Sequence, residues 1–363
     1  MTETDMSWSA LLTDLLAGSD TAGERARWAM ESVMTGEATA AQIAAFLVAL
    51  RAKGPSGAEV SDFVDVMLQH AVPVTVPGLV VDTCGTGGDQ SGSVNISTMA
   101  AVVVAATGIP VVKHGNRAAS SRSGSADVLE ALGVAISLRP DQIAQCLAEV
   151  NIAFCFAPVF HPAMRHAGPV RRELGIPTVF NILGPLANPA RPAAQVVGVA
   201  DPSMAPVVAR ALADRGTSAL VVRGEDGMDE ITTVAPTRVW DARGGSVTET
   251  VIDTRALGIG RADPESLAGG GAAENAELAR AALAGRPRSE VLPIRDAVAI
   301  NAAAAVVVAE SARGAAVAPV GLIAELAQAL DRVRHALDTG AAEIQLNRWV
   351  EVSKSLADGS DGP

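Results

Sequence analysis

Aromatic rings are scarce in this chain. There is no Tyr, and aromatic residues make up 3% of the 363 positions. That excludes an interior built on stacked rings and leaves it to small aliphatics. The supply is ample: 49% of the residues are hydrophobic and mean hydropathy is +0.28. Even so, no stretch approaches the ~20 uninterrupted apolar residues of a membrane span, and none is expected. Cysteine is also scarce. Cys84, Cys146 and Cys155 show neither metal-ligand nor CxxC spacing. An odd number of cysteines fits a reducing cytoplasm. The opening MTETDMSWSALLTDLL lacks a basic n-region and does not read as a signal peptide. Positive charge is short, with 28 Lys and Arg against 40 Asp and Glu, a net −12. That is a poor basis for binding nucleic acid, although a local basic patch is compatible with it. The chain has no internal repeat and no charge block. Its length exceeds that of a usual single core, so two domains are expected.

Residues 1–72 read as helices only. Leu11, Leu12, Leu15 and Leu16 are expected on one helical face. Thr39 and Gln42, then Ser56 and Glu59, have capping-box spacing at two helix starts. VPVTVPG breaks the pattern with two prolines and is expected to act as a hinge. Beyond it, short buried strands (VVDTCG, IPVVKHG, NIAFCF, AAQVVGVA, SALVVRG) alternate with helices such as STMAAVVVAATG and SADVLEALG. This alternation predicts parallel βαβ units with helices on the faces. Residues 161–192 are Pro-rich with two helical pieces. TRVWDARGGSVTETVI reads as a hairpin turning at Gly-Gly, and the last ~100 residues as Ala-rich helix with the linker ESLAGGGAAEN.

Four stretches carry chemistry. DTCGTGGDQSGSVNIST (82–98) is a glycine loop between strand and helix with no Lys or Arg. It is neither a Walker A loop nor G-x-G-x-x-G. Its glycines let amides converge on an anion, and Ser97 and Thr98 lie where a helix begins. The alternative is a tight βα turn with ordinary capping. KHGNRAASSRSGSAD (113–127) supplies the missing cations through Lys113, Arg117 and Arg122, with four serines, and a helix N-cap is expected at Ser123 or Ser125. The stretch 156–189 clusters His161, His166, Arg171 and Arg172. The i, i+5 histidine spacing suits no shared zinc, whereas Arg171 could clamp a carboxylate or pair with Glu173. GEDGMDEITT (224–233) places Asp229 beside Glu230, either as oxygen ligands for a hard cation or as a solvated acidic turn.

Taken together, GTGGD (85–89), NIST (95–98), KHGNR (113–117), SSRSGSAD (120–127), HPAM (161–164), GPVRRELG (168–175), NILGPLANP (181–189) and DGMDE (226–230) closely resemble the anthranilate phosphoribosyltransferases of tryptophan biosynthesis. The resemblance implies an α/β fold of the nucleoside phosphorylase and phosphoribosyltransferase type. A mainly parallel sheet flanked by helices would be joined to a smaller all-helical domain. The helical domain would comprise 1–77, completed by about 161–190. The α/β domain would comprise 78–160 and 191–363 and bind phosphoribosyl pyrophosphate.

The implied donor site contains Gly85, Gly88, Asp89 and Ser93, with Asn95, Ile96, Ser97 and Thr98 on the pyrophosphate side. Lys113, His114, Gly115, Asn116, Arg117, Ala118, Ala119, Ser120, Ser121 and Ser125 would complete it. Gly85, His114, Asn116, His161 and Arg171 would bind anthranilate, Arg171 through the carboxylate. Ser97, Asp229 and Glu230 would bind Mg²⁺. No side chain is implied as general acid or base. A cytoplasmic homodimer through the helical domain is expected, with no nucleic-acid or membrane partner. The sequence departs from the family's usual pattern at Ala118 and Ala119, where Ser-Val is common, and at Arg223, where His is frequent. A pyrimidine nucleoside phosphorylase would share the architecture without Mg²⁺. A non-catalytic nucleic-acid-binding relative would need a basic surface.

Overall fold

The computed structural model describes residues 6–118, 122–314 and 321–359. It opens with four helices, α1 (Trp8–Leu16), α2 (Glu24–Thr35), α3 (Ala40–Lys53) and α4 (Gly57–Gln69). Both expected capping boxes are present: Thr39 caps α3 with Gln42 answering, and Ser56 caps α4 with Glu59 answering. Each box satisfies N–H groups that have no partner inside the helix. In α1, Leu11 and Leu15 are buried, but Leu16 is 74% exposed. It occupies the last position of the helix.

The second part alternates strand and helix: β1 (Val81–Gly85), α5 (Ile96–Ala106), β2 (Val111–Gly115), α6 (Ser125–Leu132), α7 (Pro140–Val150) and β3 (Ile152–Phe156). The short helix α8 (Ala157–Phe160) follows, and the Pro-rich segment 161–192 forms the two expected α-helical pieces, α9 (Gly168–Leu174) and α10 (Phe180–Leu186), after a 3-10 turn at Pro162–Arg165. Then come β4 (Ala194–Gly198), α11 (Ala205–Asp214), β5 (Ser218–Gly224), β6 (Thr237–Asp241) and β7 (Thr248–Ile252). Helices α12 (Ala272–Leu283), α13 (Leu292–Ala312), α14 (Leu322–Asp338) and α15 (Ala341–Asp358) close the chain. The β6–β7 hairpin turns through Gly244 and Gly245, both at positive φ, as Gly-Gly predicts. The N-cap of α6 is Gly124, not either serine, because the Asp127 carboxylate accepts from the Gly124 amide.

The sheet runs β3-β2-β1-β4-β5-β6-β7, parallel from β3 to β5 and antiparallel at β6 and β7. Alternate residues divide between its faces. Val196, Leu220 and Val222 join a core with α5, α6, α7 and α12 to α15, whereas Val197, Ala219 and Val221 join one with α10, α11 and the bundle. Among the described residues one helical stretch, Ser289–Ala312, is long and apolar enough to cross a membrane by length and composition, but 83% of its apolar window is buried inside the protein. It is the central helix of the first core. Successive connections leave β1 and β4 in opposite directions. Their carboxyl ends therefore frame the crevice where open α/β sheets bind ligands.

Candidate active site

That crevice is a cavity of about 900 Å³. Every described residue expected at the site lines it: Gly85, Gly88, Asp89, Ser93, Asn95, Ile96, Ser97, Thr98, Lys113, His114, Gly115, Asn116, Arg117, Ala118, Ser125, His161, Arg171, Asp229 and Glu230. Ala119, Ser120 and Ser121 lie outside the described residues.

The floor forms where β1 and β4 end in glycine. A Cβ on Gly198 would stand 1.5 Å from the Asp229 carbonyl oxygen, and one on Gly85 2.3 Å from Asp229 Oδ2. Only glycine lets the 225–230 loop lie across these strand ends. Asp229 Oδ2 then accepts from the Gly87 amide at 2.7 Å, and Glu230 Oε1 from the Ser97 amide at 3.2 Å. The acids are thus folded onto the glycine loop and the start of α5. Asp89 accepts from the amides of Ser91 at 3.2 Å and Asp229 at 3.4 Å. It holds backbone on both loops.

Burial raises the pKa of Asp229, and the nearby charge of Asp89 raises it further. Burial and the charge of Asp229 do the same to Glu230, against the lowering effect of Lys113. Three carboxylates crowd one wall with a single buried ammonium beside them. Hard oxygen donors in excess of local positive charge fit a divalent cation. Among the described residues no three His, Cys, Asp or Glu side chains converge on a common point for a metal. A bound cation would therefore need ligand phosphates to complete its shell. Lys113 reaches beneath the loop, only 2% exposed, donating to the Thr83 carbonyl and to Ser97 Oγ at 3.4 Å. Arg117 is less available. It pairs with Asp127 at 3.0 Å and Glu130 at 2.9 Å.

The opposite wall has different chemistry. Arg171, in the last turn of α9, lies with its guanidinium 5.2 Å from the Phe180 ring centroid. It has no carboxylate partner among the described residues, so the alternative pairing with Glu173 is absent. Burial lowers its pKa. His114 and His161 pack ring to ring at 5.1 Å. Carbonyl oxygens only accept, so His114 Nδ1–H donates to Gly184 at 3.1 Å and His161 Nε2–H to Ala187 at 2.8 Å. Burial pulls His114 down to about 3 and also lowers His161. Both rings are neutral at pH 7, and His114 Nε2 is a buried acceptor without a partner.

Sequence reasoning missed Phe180, Gly184, Gly270 and Asn275 among the lining residues. Gly184 stands in the resemblance motif 181–189 and Phe180 in the chemistry-bearing stretch 156–189, so a signal existed. Gly270 precedes α12 and Asn275 lies in its first turn, and neither carried a signal.

A sheet crevice with a phosphate-type loop, a buried lysine and an acidic wall, closed by a helical bundle, defines a glycosyl transferase. Residues 78–343 match the glycosyl transferase family a/b domain, and residues 9–71 its helical bundle domain. The chain is 55% identical over 350 residues to the anthranilate phosphoribosyltransferase of Saccharopolyspora erythraea, covering 96% of this chain and 97% of that one. It is 53% identical over 356 residues to that of Salinispora arenicola, covering 97% and 98%. The solved anthranilate phosphoribosyltransferase of Thermus thermophilus superposes with a TM-score of 0.86 at 40% identity, covering 95% of this chain and 99% of that one. The Saccharomyces cerevisiae enzyme, solved in complex with PRPP and Mg, superposes with a TM-score of 0.77 at 25% identity, covering 96% and 94%. The chain belongs to the anthranilate phosphoribosyltransferase family.

Proposed function

We propose that this protein transfers the phosphoribosyl group of 5-phosphoribosyl 1-pyrophosphate to the amine of anthranilate. The products are N-(5-phosphoribosyl)anthranilate and pyrophosphate, in tryptophan biosynthesis. The observation that carries this reading is the two-walled cavity. An amide- and hydroxyl-lined loop with Lys113 shares the cavity with Arg171, which has no carboxylate partner among the described residues, and with the packed pair His114 and His161.

In the reaction a C–N bond forms at ribose C1 as the C–O bond to pyrophosphate breaks. Charge grows on the departing oxygens, and the ribose becomes oxocarbenium-like. Lys113, Ser97 and the amides of 85–89 face the leaving group, in a site where fixed donors act more strongly than water. Ser97, Asp229 and Glu230 would hold Mg²⁺, which when bound neutralises pyrophosphate charge. Arg171 fixes the anthranilate carboxylate bidentately, and the amide of Asn116 and the rings of His114 and His161 set the pose. The aromatic amine needs no deprotonation before it attacks, and the acidic N–H of the ammonium formed passes its proton to the departing pyrophosphate or to water, so no side chain is assigned as acid or base.

The division into a helical domain (1–77 with about 161–190) and an α/β domain (78–160 and 191–363) is part of this reading. So are a homodimer through the helical bundle and a cytoplasmic location. Exposed Leu16 on α1 and Val48 on α3 support a bundle-side interface, and sedimentation at micromolar concentration tests it. A net charge of −12 supports the expectation of no nucleic-acid partner. The reaction is tested by loss of anthranilate fluorescence on adding phosphoribosyl pyrophosphate, with and without Mg²⁺. Loss that requires Mg²⁺ is expected; no loss in its presence overturns the reading.

A further inference from the structure

Beyond the residues the family resemblance assigns, a buried chain of amides ties three distant segments together behind the donor wall. Asn275, in the first turn of α12, is only 3% exposed. Its Oδ1 accepts from the Gly270 amide at 2.7 Å. Its Nδ2 donates to Asn95 Oδ1 at 2.9 Å, and Asn95 Nδ2 donates to the Ser123 carbonyl at 3.0 Å. A backbone N–H at one end and a backbone C=O at the other leave the amides only one orientation. The chain is therefore polarised from the 269–271 linker, through the residue capping α5, to the loop before α6.

The backbone supports the same arrangement. The Val94 amide donates to the Leu267 carbonyl at 3.0 Å, and the Gly269 amide to the Gly92 carbonyl at 2.8 Å. A Cβ on Gly269 would stand 2.7 Å from Asn275 Oδ1 and 3.0 Å from both the Ser93 carbonyl and Val94 Cα. The linker is thus glycine because it lies against the phosphate-type loop. Gly270 and Asn275 themselves line the cavity.

We propose that Asn275 is a positioning residue of the donor site, locking the 267–275 segment, the 91–95 loop and the 122–124 loop into one frame around the phosphates through Asn95. The inference rests on the reading of this wall as the pyrophosphate side. Asn95 then serves chiefly by its position, since both polar atoms of its side chain already bond to the frame. A fully satisfied buried amide chain rigidifies what it joins. Breaking it loosens the donor wall and leaves the Arg171 wall as it was.

The test uses the full chain. Asn275→Ala is expected to raise KM for phosphoribosyl pyrophosphate about tenfold, the worth of one buried hydrogen bond left unmade. KM for anthranilate should stay within about twofold by the same reasoning, because no link of the chain touches the acceptor wall. Asn275→Asp keeps the acceptor for Gly270 but loses the donor to Asn95, and Gly269→Ala pushes the linker off the loop. Both should reproduce the donor-selective effect, and they carry the test if the alanine variant does not fold. Affinity for Mg²⁺-pyrophosphate by calorimetry, without acceptor, should fall in parallel. Wild-type pyrophosphate affinity and donor KM in the variants would overturn the proposal. Equal losses for both substrates alongside a lowered melting temperature would also overturn it. If the unaltered protein binds pyrophosphate yet transfers nothing to anthranilate, the reaction is wrong, and the amide chain is judged on pyrophosphate affinity alone.

Discussion

Arg171 is half-buried over Phe180, and its charge has no counterion among the described residues. Such a group gains most from a planar anion. Arg171→Ala should raise KM for anthranilate roughly ten- to a hundredfold, the range of a lost charge-assisted pair, with the donor KM little changed. Equal effects on both substrates in steady-state kinetics would count against the clamp. On the other wall, the double change Asp229→Asn with Glu230→Gln should abolish Mg²⁺-dependent turnover and leave the melting temperature level or higher, since it removes buried carboxylates whose charge is disfavoured. Full activity in that variant would remove the metal assignment.

Asp82 makes a separate prediction. Fully buried under the site, it accepts from the His114 amide at 3.3 Å and from Asn188 Nδ2 at 2.9 Å. Burial raises its pKa to about 6, against the lowering effect of Lys113. Between the unfolded value of about 4 and the folded value near 6, the folded state holds more protons. Stability from this group is therefore full below pH 4 and lost as pH rises through 6, a span of ~3 kcal/mol. Asp82→Asn should flatten the corresponding part of the slope in denaturant midpoints measured from about pH 4 to 7; an unchanged slope would place the burden on other groups. None of this was legible in DTCG, where Asp82 reads only as a strand residue. Asp89 was legible as part of the loop, but what it holds was not. Its partner Asp229 lies 140 positions away, a distance that no spacing rule reaches.

At the scale of elements, local rules worked where the partners are local. Thr39 with Gln42 and Ser56 with Glu59 are three apart, and both boxes form as the sequence predicts. The strands ending in Gly85 and Gly115 were equally legible from apolar runs that stop at glycine. Less legible was α7, whose start is Pro140 rather than a hydroxyl cap. The N-cap of α6 was misplaced because the Asp127 carboxylate, not a serine, answers the free amides. Glu59 shows what an element-level box can hide. It is also the buried partner of Lys53 Nζ at 2.8 Å and of the Thr21 amide and hydroxyl. Ser56→Ala should therefore cost about 1 kcal/mol, an ordinary cap. Glu59→Ala should cost about 3–5 kcal/mol, because it strands a buried ammonium as well. Urea unfolding of the two variants separates the cases, and similar losses would mean that the Lys53 pair carries little.

The whole molecule was legible as two textures, helical and alternating, but the continuity between them was not. The bundle does not close a core of its own. Phe46, Leu50 and Phe63 belong to the same apolar cluster as Leu212 on α11 and as Val197, Val221 and Trp240 on one face of the sheet. Burial shared across a boundary couples the folding of the two sides, since neither can expose its face without stranding the other. The hinge expected at VPVTVPG is also tied down at its start, where the Val72 amide donates to the Phe160 carbonyl at 2.8 Å. The chain should accordingly unfold in one transition. Tryptophan placement makes this measurable. Trp8 and Trp28 pack against each other on the bundle, at 5.2 Å between centroids, whereas Trp349 is buried in α15 within the other core. Fluorescence in urea of a variant keeping Trp8 and Trp28, and of one keeping Trp349, should give midpoints that coincide with each other and with far-UV circular dichroism. Early loss of the bundle signal would instead show that the shared cluster is too weak to bind the two parts into one cooperative unit.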